Sequence, residues 1–301
     1  MHAFDVIANP LVKAALTVRG SKKLFSSVEK SQQALLTSDI KDGKDYEPPD
    51  FHIKSAVIRT DDTGCPVFTV VPYTPCGTRI IYFHGGAYTR DINPLHFVLA
   101  DRLARENNAT VQLMIYPKAP RHTHEDTFIC AQTLYARAVR EAGCGNVYLA
   151  GDSCGGAIAA TLCHRLHEMN APMPAGLILY SPLCDLRLNN ALIDEMKRDD
   201  PTLGTDGLKK HIEAWIGDTD IESPNVNPAF INPECFPRTT IFTGTNEILS
   251  PDAISLAYKI QQNGGKCDLH VYTNMYHDFV LYPLKAAEKT RRRTTEFINA
   301  K

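Results

Sequence analysis

The chain has 301 residues, 44% of them hydrophobic, enough for a full core in one large domain or two small ones. A formal charge of −2 and a pI near 6.6 exclude the strongly basic balance of a nucleic-acid binder. No apolar run reaches the roughly 18 residues of a membrane span, and the N-terminus lacks the unbroken apolar stretch of a secretion signal. Nine cysteines without a C-x-x-C pair argue against a disulfide framework and for a reducing, cytoplasmic setting.

Residues 1 to 49 read as helical and amphipathic. Asn9 and Pro10 suit a cap and first helical residue, and Leu11, Ala14, Ala15 and Val18 share a face. From residue 52 onward, short apolar runs alternate with helical patterns: "VFTVVP", "RIIYFHGG", "TVQLMIYP", "NVYLAG", "AGLILYSP", "TTIFTGT" and "DLHVYTNM". Runs apolar on both faces are buried strands of a helix-covered, mostly parallel sheet. Leu95, Leu99 and Leu103 form one helical stripe; Ala253, Leu256, Ala257 and Ile260 form another, stopped by Gly264-Gly265. The alternation predicts an α/β fold. Residues 187 to about 230, which include Trp215, are too long for an ordinary connection. With the N-terminal segment they can roof the carboxyl edge of the sheet, where open α/β sheets bind ligands. The basic run Arg291 to Arg293 reads as the solvated face of a surface helix.

The chemistry concentrates in "NVYLAGDSCGGAIAATL", residues 146 to 162. A strand enters, Gly151-Asp152-Ser153-Cys154-Gly155 turns sharply, and an alanine-rich helix leaves, which is the context of a nucleophile elbow. A serine hydroxyl is a poor nucleophile unless exposed, aligned and next to a base. Glycines on both sides relieve crowding at such a turn, and the following helix aims free N–H groups at the reacting centre. Ser153 is the candidate nucleophile, and the Cys154 N–H faces the developing oxyanion. Upstream, "RIIYFHGGAY" ends a strand in His84-Gly85-Gly86, whose glycines let backbone N–H groups approach a substrate.

"HGGAY" followed by "GDSCGG" resembles the hormone-sensitive-lipase-like branch of the α/β-hydrolases over roughly residues 50 to 301, with "SPLCDL", "DPTL" and "NPAF" as milder signs. The resemblance implies an eight-stranded sheet flanked by helices. It also implies a helical cap made of residues 1–49 and an insertion around 187–230, over a catalytic domain of residues 50–301. Gly85, Gly86 and Cys154 become the oxyanion hole. Cys154 stands where many relatives have alanine, which suggests a narrower site or one sensitive to thiol reagents. In this fold the order is serine, acid, histidine. His277, in "NMYHDF" after the last strand, is the base; the family's G-x-x-D appears here as Gly244-Thr245-Asn246-Glu247, which makes Glu247 the acid. Asp252 and Asp185 are the rivals, and Asp278 is too close in sequence to reach beneath its neighbour's ring. His164 and His167 could hold a metal at i, i+3, but the sequence offers them no evident third ligand.

These residues describe a serine carboxylesterase for short- to medium-chain esters, working through an acyl-enzyme without metal or cofactor on a small-molecule ester. An amidase, deacetylase or lactonase would use the same groups, and a small-molecule receptor of the same fold would keep the pocket without the chemistry. The resemblance also admits a homodimer through the last strand and helix, which no residue specifies by itself.

Overall fold

The computed structural model describes residues 3–37, 46–48, 53–61 and 63–300, without the side chains of 3–8. Part of the expected N-terminal cap, residues 38–45 and 49, lies outside the described residues. Among the described residues, eight strands form one sheet: β1 (Ala56–Thr60), β2 (Val67–Val71), β3 (Arg79–Phe83), β4 (Thr110–Met114), β5 (Val147–Asp152), β6 (Gly176–Tyr180), β7 (Thr239–Gly244) and β8 (Cys267–Tyr272). Their order is β1-β2-β4-β3-β5-β6-β7-β8. β2 runs antiparallel to both neighbours, and all pairs from β4 to β8 are parallel. β5 and β6 are buried along their whole length, as a doubly covered parallel sheet requires.

Among the described residues, ten helices surround the sheet: α1 (Ala3–Arg19), α2 (Ser21–Phe25), α3 (Val28–Leu36), α4 (Pro94–Asn107), α5 (His124–Ala142), α6 (Cys154–Glu168), α7 (Ile193–Met196), α8 (Thr205–Ile216), α9 (Ser250–Gln262) and α10 (Lys285–Asn299). One face packs on α4 and α10 through Leu99, Leu103, Phe297 and Ile298. The other packs on α5, α6 and α9 through Phe128, Leu134, Ile158, Leu162 and Leu256. The α9 stripe is buried as expected, and the helix closes with the Gly265 N–H on the Ile260 carbonyl.

Two local expectations are corrected. α1 begins at Ala3, so Pro10 lies inside the helix rather than at its start. A proline lacks the N–H that would bond one turn back, yet the ladder continues on both sides of it. Of the basic run, Arg291 is buried and pairs with Glu106 at 3.0 Å, tying α10 to α4.

α2, α3 and α8 pack together above the carboxyl edge. Gly207 and Gly204 make this possible. A Cβ at Gly207 would stand 2.5 Å from Ser31 Oγ and 2.6 Å from the Leu24 carbonyl, and one at Gly204 would meet Ser26 Cα at 2.8 Å. α8 is held down by stacking of Trp215 on Tyr88, 3.9 Å between centroids, and by a 2.8 Å hydrogen bond between His211 Nδ1 and Thr89 Oγ1. Leu16 of α1 joins Met275, Tyr276 and Phe279 in a small separate apolar cluster.

Candidate active site

Ser153 sits between β5 and α6 with φ 52 and ψ −125, the sharp turn anticipated from the glycines. Such a backbone costs about 1–3 kcal/mol and persists only where its surroundings enforce it. Here the Ser153 N–H donates to the Tyr180 carbonyl at 3.0 Å, and its carbonyl accepts from Gly156 and Leu183 at 3.1 and 2.9 Å. Gly155 lies against the carbonyl ends of β3: a Cβ there would collide with the Phe83 carbonyl and stand 2.8 Å from that of His84. A Cβ at Gly85 would run into Asp152 and lie 3.0 Å from Ser153 Cβ, so the loop after β3 passes directly beside the serine. Gly86 holds φ +130, a conformation that glycine adopts without strain. Gly85, Gly86, Ser153 and His277 line the same cleft.

The loop after β8 brings His277 to Ser153, with Nε2 2.9 Å from Ser153 Oγ. Its Nδ1 lies 3.0 Å from Glu247 Oε2. Glu247 is buried, and its other oxygen accepts from Thr243 Oγ1 and, at 2.7 Å, from the Gly244 N–H. The carboxylate is therefore aimed at the ring by its own loop. Asp200 braces that loop from the segment after β6, accepting the Ile248 N–H at 3.0 Å and the Thr202 N–H at 2.8 Å. Burial works to lower the His277 pKa, but the Asp278 and Glu247 carboxylates outweigh it and hold the imidazole at about 9.

Neither rival acid reaches the histidine. Asp185 is taken by Arg187 at 2.7 Å, and Asp252 accepts from Asn190 at 2.8 Å; both line a different cleft. Asp278 differs from expectation. Its Oδ2 lies 3.2 Å from His277 Nε2, the serine-facing nitrogen, because Asp278 adopts φ 56 and folds back over the ring. Sequence spacing carried no signal for this. Burial pushes the Asp278 carboxyl up.

Behind the serine, Asp152 is buried and accepts from Tyr82 Oη at 2.8 Å, with His96 Nε2 at 3.1 Å. His84 is buried against Tyr116, centroids 4.5 Å apart, and burial lowers its pKa to about 3, so it stays neutral. No motif assigns a role to Asp152 or His96, although Asp152 lies within the elbow motif and its polarity at a buried strand end is the available signal. Cys154 is fully buried, its sulfur accepting from the Tyr88 N–H at 3.3 Å, and burial pushes the thiol up to about 12. Its side chain therefore points away from the cleft, and the expected thiol-reagent sensitivity does not hold at this position. His164 gathers with Glu168 and Cys235, not with His167, with donor atoms within 4.8 Å of one another. Glu168 stands at i+4 on the same helix face, a spacing the sequence does offer, whereas Cys235 comes from a remote loop.

A family model of the alpha/beta hydrolase fold matches residues 80–281. The chain belongs to the α/β-hydrolase fold family. This α/β-hydrolase is 31% identical over 209 residues to an esterase of Acinetobacter venetianus, covering 67% of this chain and 68% of that protein. It is 28% identical over 71% of its length to an acetyl-hydrolase of Streptomyces hygroscopicus, of which it covers 72%. A crystal structure from Staphylococcus aureus superposes with TM-score 0.89 at 26% identity, over 94% of this chain and 96% of that one. A hormone-sensitive lipase from a metagenome library shares the fold at TM-score 0.80 and 24% identity, over 97% and 98% of the two chains. The fold that the H-G-G-A and G-D-S-x-G-G motifs imply is thus shared with both structures. Among the described residues, no helix is long and apolar enough to cross a membrane.

Proposed function

We propose that this α/β-hydrolase is a serine carboxylesterase acting on short- to medium-chain acyl esters. The observation that carries the reading is the chain of contacts from Ser153 through His277 to Glu247. In this mechanism Ser153 Oγ attacks the ester carbonyl as His277 Nε2 takes its proton. Glu247 holds the Nδ1–H tautomer and stabilises the imidazolium. The N–H groups of Gly85, Gly86 and Cys154 receive the oxyanion, each donor contributing about 3 kcal/mol to transition-state stability. His277 then returns the proton to the departing alcohol, and the same groups direct water onto the acyl-enzyme.

The names of the relatives, esterase and acetyl-hydrolase, support this reading. The cleft supports the shorter chains: its cavity of about 130 Å³ is near the roughly 150 Å³ that admits a benzene-sized ligand. We assign α1–α3 and the segment between β6 and β7 to a cap that bounds the acyl pocket, since Leu16, Phe25, Leu203 and Leu208 all face the cleft. Cytoplasmic residence is supported by nine free cysteines. A homodimer completes the reading, to be checked by light scattering. The functional test is a fluorophosphonate probe together with acetate, butyrate and octanoate p-nitrophenyl esters. Labelling at Ser153 with fastest turnover of the shorter chains is expected; an unlabelled protein, or fastest turnover of octanoate, overturns it.

A further inference from the structure

The charges lining the cleft do not balance. Asp152 faces His96 at 3.1 Å, and Asp91 pairs with the fully buried Lys118 at 3.1 Å; Asp278, whose carboxyl burial pushes up, lies 3.2 Å from His277, which Glu247 also faces. Arg19, at the end of α1, and Arg90, in the loop after β3, line the same cleft. Among the described residues neither has a carboxylate at salt-bridge distance. Arg90 is half-buried and lies with its guanidinium 5.1 Å over the Phe25 ring, a contact that orients the side chain without neutralising it. Burial and the neighbouring Arg19 charge both work to lower the Arg90 pKa, yet guanidinium stays protonated in proteins. Two like charges, brought from separate elements to one small cleft and left without a counter-ion, form a site for an anion.

Building on the esterase reading, we propose that the preferred substrate is an ester carrying a carboxylate, on its acyl or its alcohol part, which Arg19 and Arg90 bind while its carbonyl lies at Ser153. A planar carboxylate matches the fork of a guanidinium.

Two substrate pairs test this. One is mono-p-nitrophenyl adipate against its terminal carboxamide, with charge on the acyl side; the other is 4-acetoxybenzoate against 4-acetoxybenzamide, with charge on the alcohol side. The readout is the ratio of kcat/KM for the charged ester to that for its uncharged twin, so a general loss of activity cancels. In at least one pair the ratio should reach about tenfold, the size expected of one charge-assisted hydrogen bond. Arg90→Gln and the exposed Arg19→Gln should each pull it towards one, Arg90→Lys should keep part of it, and about 0.5 M salt should shrink it. A ratio at or below one in both pairs, or one unmoved by either glutamine variant, overturns the inference and leaves the esterase intact. No turnover of any ester, p-nitrophenyl acetate included, overturns the esterase reading and the inference with it.

Discussion

The floor and the roof of the cleft are built by different physics. The floor is the carboxyl edge of β3, β5, β7 and β8, where glycines bring backbone against backbone and every functional side chain is fixed by hydrogen bonds. Glu247, for example, spends one oxygen on Thr243 and Gly244 before the other meets His277. The roof is α1–α3 and α8, built by side-chain packing: Phe25, Leu208, Ile212 and Trp215 join the main core, Trp215 stacks on Tyr88, and Thr89 bonds His211. A floor fixed by backbone and hydrogen bonds suits chemistry that fails when atoms move by an ångström, and a roof that meets the cleft with side chains suits substrate choice. Changes to the floor should therefore remove kcat, and changes to the roof should shift KM and specificity.

The largest effect expected is on the floor. Ser153→Ala or His277→Ala should lower kcat by on the order of 10⁴ to 10⁶ with the fold intact by circular dichroism. Near-normal turnover in either variant would refute the mechanism. Glu247→Gln should follow with a loss of about 10³ to 10⁴, because the amide no longer fixes the tautomer. Asp252→Asn and Asp185→Asn, in the other cleft, should fall within about threefold of wild type. A larger loss in either than in Glu247→Gln would transfer the acid's role. The comparison sharpens at two glycines. Gly155→Ala forces a Cβ into the carbonyl ends of β3, and Gly207→Ala forces one against Ser31 and the Leu24 carbonyl, so each should destabilise by about 3 kcal/mol in thermal unfolding; Gly155→Ala should mainly lower kcat and Gly207→Ala mainly raise KM. Equal effects on kcat from the two glycines would erase the distinction.

The smallest of these effects is in pH. The base acts when neutral, and an imidazole held at about 9 is mostly protonated at neutral pH. The acid limb of kcat/KM should therefore have its midpoint above the ordinary histidine value of about 6.5, with activity rising into the alkaline range. Asp278→Asn removes one of the carboxylates that raise the pKa and should shift that midpoint downward. A midpoint at or below the ordinary value in wild type, or no shift in the variant, would show that Asp278 does not act on the ring.

Much of the floor was legible because its constraints are local. A G-x-S-x-G between a strand and a helix, and an H-G-G at another strand end, specify backbone geometry within a few residues, and both stand where expected. The parallel strands announced themselves by being apolar on both faces. β1 did not: it is an edge strand with alternate residues exposed, and "AVIRT" carries no such signature. The α1 start was misplaced because a proline is cheapest in a first turn, and the preference was overridden here. Asp278 against His277, Asp91 on Lys118, and the meeting of Arg19 with Arg90 stayed hidden because they depend on a left-handed residue or on loops far apart in the chain.

The stack of Trp215 on Tyr88 makes the protein its own gauge. The chain has one tryptophan, and it lies flat on a tyrosine beside the glycine turn, with its indole N–H given to Thr127. Any lifting of the helical layer must part those two rings, so intrinsic emission reports opening with no dye attached. Stopped-flow traces on the unmodified enzyme would thus reveal whether an ester's entry moves that layer before cleavage.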